Sequence, residues 1–184
     1  MVDEANVIHR SRRAIMMKTT ALAAIFLGLS GGAVAQQGER PKPCESAPYH
    51  AFDFWLGEWS VTDAAGELAG TNSVTKEENG CLIVERWSGA SGSTGQSYNY
   101  YDPGDGKWHQ LWISAGAVIG YSGGVNQRGH MILEGTIKYR NGDTHPFRGT
   151  WMKRDDGSVK QHFEQFNAED EAWEDWFIGT YRKP

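Results

Sequence analysis

The sequence predicts an all-β protein, an up-and-down antiparallel β-barrel of about ten strands. Three observations lead there. After Gln36 no stretch sustains a helical period, and Gly recurs at roughly ten-residue spacing, the rhythm of strands and turns. Asn-Gly, Asp-Gly and Pro-Gly pairs fall between alternating segments, where they suit tight hairpins. Several segments carry large groups on both faces: in "KWHQLWIS", Trp108 and Trp112 share one side while Leu111 and Ile113 share the other. Closing a long meander into a barrel removes its edges. A two-sheet sandwich would explain the two-faced strands as well and stands as the alternative.

Residues 1–35 read as a leader. From Met16 the chain offers one lysine, an apolar run over 21–29, a Ser-Gly-Gly break and Ala33-Val34-Ala35, a small-residue cleavage site before Gln36. The apolar run is shorter than the roughly 20 residues that cross a bilayer, so no membrane span is expected after cleavage. Cys44 follows "RPKP" and lacks the apolar box of a lipoprotein. Residues 1–15 have two readings. Translation begins at Met16 or Met17, or "SRRAIMMK" is a twin-arginine signal with Ile15 and Met16 as its apolar pair. Either way the expected location is periplasmic or secreted.

Residues 36–50 form an extended arm containing three prolines, and "YHAFDF" suits a short helical turn over one end of the barrel. The barrel domain is expected over 51–184, with strands at 57–63, 68–77, 81–88, 96–101, 107–114, 118–122, 131–139, 146–153, 159–167 and 173–182. Turn chemistry such as "AAGE", "ENG", "DPGDG", "RNGD" and "RDDG" separates them.

Charge narrows the partners. The whole chain carries −5, and loss of the leader leaves 14 basic against 21 acidic residues, a net −7. Nucleic acid and anionic membranes need a cationic stripe and are set aside. Cys44 and Cys81, in an oxidising compartment, are expected to form one disulfide, with a pair of free thiols as the alternative.

With an even number of strands, the first strand starts at the rim where the last one ends. Trp59 is therefore expected near Arg182, whose guanidinium would lie over the indole. Gly57, two residues earlier, has no Cβ and lets the rim bend so that the indole plugs the barrel floor.

Gly-x-Trp on the first strand with an Arg ending the last resembles the signature of lipocalins and their calycin relatives. The longer set "FDFWLGEW", "GCLIVERW", "SYNYYD" followed by "WHQLW", "HFEQFN" and a closing "W…GTYR" resembles a bacterial lipocalin-like family of unknown function. The resemblance covers 51–182. It departs at "NAEDEAW", where a tight Ser-Asp-Gly-like turn would be expected. Because that family has no assigned activity, the resemblance implies fold and export rather than chemistry.

A small barrel is filled by side chains or holds one small ligand. Trp59, Trp87 and Trp112, with Tyr98 and Tyr100 on one face of a strand, are candidates to line a pocket for a flat apolar molecule. Glu85, two residues before Trp87, and Gln110, between Trp108 and Trp112, would orient it. The alternative is a packed core in which Glu85 pairs with Arg148 or another arginine and Gln110 bonds to backbone. An unpaired buried Glu85 would have a raised pKa.

The histidines show no His-x-His or His-Glu-x-x-His spacing, so no metal cluster is expected. A single one, His109 or His162, could hold haem iron; otherwise no cofactor is expected. "SGASGSTGQS" lacks the Gly-x-Ser-x-Gly spacing of a serine nucleophile, and "NAEDEAWEDW" lacks the order of a calcium loop. The leading expectation is an exported barrel that binds a small apolar or aromatic ligand. The alternatives are a cavity isomerase or cyclase using Glu85 as acid or base, a filled barrel docking to an envelope partner, and a haem barrel.

Overall fold

The structure, a computed structural model, describes residues 42–184. The leader, its cleavage site and most of the arm's start lie outside the described residues. Two short 3-10 turns, Ala47–His50 and Asp53–Trp55, precede the strands β1 (Gly57–Thr62), β2 (Leu68–Glu77), β3 (Leu82–Gly89), β4 (Thr94–Asp102) and β5 (Lys107–Ser114). The chain continues through β6 (Ala117–Val125), β7 (Met131–Tyr139), β8 (Thr144–Lys153), β9 (Val159–Asn167) and β10 (Ala172–Arg182). Each strand pairs antiparallel with its neighbour in sequence, and β1 pairs with β10 through Ser60↔Arg182, Val61↔Tyr181 and Thr62↔Thr180. The sheet is therefore a closed ten-stranded up-and-down barrel, as expected, and not a sandwich. No helix among the described residues is long and apolar enough to cross a membrane.

The floor is an aromatic plug. Phe52 stacks on Trp55 with centroids 4.9 Å apart and meets Trp108 and Trp151 edge-on at 5.6 and 5.2 Å. Trp59 is 2 % exposed beneath them and donates its indole N–H to the Trp55 carbonyl at 2.8 Å. Large rings bury the most apolar area per ordered side chain, which is why so short a stretch can seal a barrel end. The helical turn expected at "YHAFDF" thus carries the seal.

The cation over Trp59 is Lys183, not Arg182. The Lys183 ammonium lies 3.8 Å from the ring centroid and donates to the Leu56 carbonyl at 2.6 Å, while Arg182 is exposed. Strand alternation is the reason: Tyr181 points inward at 1 % exposure, so Arg182 points out and the next residue returns to the inner side. Gly57 adopts φ 129, a region closed to side-chain-bearing residues, and a Cβ there would collide with the Lys183 ammonium.

Cys44 and Cys81 form the expected disulfide, tying the arm to the β2–β3 turn at the floor. The "NAEDEAW" segment still makes a β9–β10 hairpin. Asn167 holds it by accepting the Glu169 N–H at 2.9 Å and donating to Glu174 at 2.8 Å. Just beyond it, in β10, the register shifts by a bulge between Asp175 and Phe177.

Candidate functional site

Above the plug, inward-facing polar side chains run around the barrel from β6 to β9. Tyr121 donates to Gln110 Oε1, and Gln110 Nε2 donates to Asn99 Oδ1. Asn99 Nδ2 donates to Ser97 Oγ at 2.9 Å, and Ser97 Oγ donates to Glu85 Oε2 at 2.7 Å. From the other side Asn72 Nδ2 reaches Glu85 Oε1 at 2.7 Å, and Tyr181 donates to Gln161 at 2.7 Å. Strand register builds the chain, because Glu85↔Ser97, Asn99↔Gln110 and Gln110↔Tyr121 are directly opposed pairs.

The direction of these bonds is set by the backbone. Asn99 Nδ2 also donates to the Ile83 carbonyl at 3.1 Å, which fixes its amide and leaves Oδ1 as the acceptor for Gln110. Ser97, accepting from Asn99, turns its own hydrogen to Glu85. Every donor from Tyr121 to Ser97 thus points toward the carboxylate, an arrangement in which each bond polarises the next.

Glu85 is 4 % exposed and is the one acidic or basic side chain among the buried described residues. Burial raises its pKa to about 7, against the opposing hydrogen bonds from Ser97 and Asn72. Burial, and then the charge of Glu85, push the Tyr121 and Tyr181 hydroxyls well above their ordinary value.

Over this polar layer opens a cavity of about 480 Å³, at the end opposite the plug. Glu85, Tyr121, Gln161 and Tyr181 face its inner end, and Trp87, Trp112, Phe163, Trp176 and Phe177 form much of the wall. Glycines make room for those rings. A Cβ at Gly70 would lie 2.8 Å from Trp87, one at Gly149 2.7 Å from Phe163, one at Gly179 2.7 Å from Phe177, and one at Gly95 would enter the Trp112 ring. The bulge before Phe177 brings Trp176 to the mouth, where its indole donates to Tyr139 at 2.9 Å.

Of the residues expected to meet a ligand, Glu85, Trp87 and Trp112 line the cavity. Gln110 lies in the polar layer bonded to side chains rather than backbone, without lining the cavity. Four expected placements are corrected. Trp59 belongs to the floor plug. Tyr98 and Tyr100 are 41 % and 43 % exposed on the outer wall, because the small polar Ser97 and Asn99 take the inward positions of β4. Arg148 is also outside: it grips Glu164 through Nε and Nη2 at 2.7 and 2.6 Å and lies 4.3 Å over Trp173, far from any pairing with Glu85.

The haem candidates are corrected for the same reason of parity. His109 alternates with the buried Trp108 and Gln110, bonds Asp105 at 2.9 Å and stacks on Tyr100 outside. His162 bonds Asp175 at 2.7 Å, and neither ring lines the cavity. Sequence reasoning missed Asn72, Ser97, Asn99, Tyr121, Gln161 and Tyr181. Their signal was available only as the partners that a cross-strand register would place beside Glu85.

Comparison of the chain with protein-family models and with curated proteins returns no match.

Proposed function

We propose that the protein is an exported, lipocalin-like barrel that binds a small, largely apolar or aromatic molecule. The observation that carries this reading is the cavity of about 480 Å³, within the range of small-molecule sites and walled by aromatic rings around few polar groups. A filled structural barrel would place side chains where this space lies. The Cys44–Cys81 disulfide supports an oxidising destination, and the leader read at residues 1–35 supports export. Kinship with the bacterial lipocalin-like family rests on the motifs quoted above and on the closed meander.

A neutral fluorophore, N-phenyl-1-naphthylamine, tests the reading. It is expected to brighten on mixing with the purified protein and to do so far less with Ala117→Phe, since Ala117 lines the cavity and a ring there occupies it. No brightening, or equal brightening by the variant, would overturn it.

Catalysis is the second reading, favoured by one observation: a cavity-lining carboxyl raised to about 7 is poised to give or take a proton near neutrality. Isomerisation or cyclisation of the bound molecule would then stop in Glu85→Gln.

A further inference from the structure

We propose that the ligand of this cavity carries a cationic amine, seated against Glu85 at the inner end, with its apolar body along the ring-lined wall. The proposal rests on the cavity being a ligand site and names the class of molecule it takes.

Three observations meet at Glu85. It lines the cavity, and no Lys, Arg or His is among the buried described residues, so the protein supplies no counter-charge to it. Its hydrogen bonds come from neutral donors, one to each oxygen, which leaves acceptor capacity on both. The relay from Tyr121 through Gln110, Asn99 and Ser97 is oriented to favour a negative carboxylate, not a neutral acid. A wholly apolar ligand would strip water from that carboxylate and leave it unpaired, and an anionic one would add repulsion. An ammonium does neither. It completes the pair, and the aromatic rings of Trp87, Tyr121 and Tyr181 that line the same cavity suit a cation better than an anion.

The groups facing Glu85 are few. Asn72 from β2 and Ser97 from β4 bond it, Tyr121 from β6 and Tyr181 from β10 feel its charge, and Gln161 from β9 shares the cavity lining. Only the two tyrosines titrate, and they stay neutral across the physiological range. The pH dependence of amine binding should therefore belong to Glu85. A cation needs the carboxylate, so affinity rises as pH climbs through about 7.

The experiment is calorimetry with tryptamine and its neutral near-isostere tryptophol, on wild type and Glu85→Gln, with N-phenyl-1-naphthylamine binding measured alongside. At about pH 8 the amine is expected to bind wild type roughly tenfold or more tighter than the alcohol, the worth of a charge-assisted hydrogen bond. That preference should shrink toward about pH 5.5, and in Glu85→Gln the ratio should fall to about one. If the alcohol binds as tightly as the amine, or the amine preference grows as pH falls, the proposal is overturned while the cavity reading stands. The same holds if the fluorophore binds but neither indole does. If fluorophore and indoles all fail, the cavity reading falls and the proposal with it. Should Glu85→Gln fail to fold, the pH dependence of wild type decides.

Discussion

Glu85 links the barrel's stability to pH in a direction opposite to that of an ordinary surface carboxylate. Its carboxyl moves from 4.5 to about 7 on folding because burial disfavours the charge. The folded state therefore binds more protons than the unfolded chain between those values, and stability falls as pH rises through that window. The carboxylate left buried costs the folded state on the order of 3 kcal/mol by about pH 8. Glu85→Gln should lack this slope, so that its unfolding free energy gains on wild type by that order between about pH 4.5 and 8. Carboxylates held low by their partners, such as Glu164 by Arg148, add stability as pH rises through their own lower range and do so in both proteins. Urea unfolding followed by circular dichroism at several pH values measures the difference; parallel curves would refute it. The same residue shows what was legible early. Its proximity to Trp87 at period two was readable, whereas its supporting donors were not, because Ser97 and Asn99 alternate with Tyr98 and Tyr100, which look like the better inward candidates.

At the scale of elements, β4 illustrates a general ambiguity of strands. Alternation separates two faces but does not say which is inside. Tyr98 and Tyr100 face out beside Leu111, and Gly95, Ser97 and Asn99 face in, because β4 is registered to β3 with Ser97 opposite Glu85 and to β5 with Asn99 opposite Gln110. Reversing the faces would bury tyrosines against Glu85 and expose its donors. Gly95 has a packing role in that arrangement, since the Trp112 ring occupies the place of its missing side chain. Gly95→Ala is expected to lower stability by about 1–3 kcal/mol through overpacking. In a Trp112→Ala background the same Gly95→Ala change should cost much less, giving a non-additive cycle in urea unfolding. A fully stable Gly95→Ala protein would show that the ring moves aside freely.

For the whole molecule, the barrel divides into a sealed end and an open end. The disulfide belongs to the sealed end: Cys44 and Cys81, 37 positions apart, fasten the arm that leads directly into Phe52 and Trp55 of the plug. Chain entropy for a loop of that size predicts about 4 kcal/mol of stabilisation. The double variant Cys44→Ala/Cys81→Ala should lose stability of that order in denaturant, yet still bind N-phenyl-1-naphthylamine at low denaturant, because the cavity opens at the other end. An unchanged unfolding midpoint would show that the plug's packing alone holds the arm.

The β1–β10 pairing closes the sheet into a barrel rather than a sandwich; the antiparallel meander itself was legible in the sequence, where glycine-paired turns set the hairpins and the "FDFWLGEW" stretch with its Gly57 bend marks the sealed rim. These are local signals, written in turn chemistry and in residues a few positions apart. Tertiary structure alone decided which face of each strand points inward, that Lys183 rather than Arg182 covers Trp59, and that Glu85 meets neutral donors instead of Arg148. The physical reason is register. A shift of one residue exchanges every side chain between core and solvent, and register is fixed by pairing with distant strands, whose positions no single segment encodes.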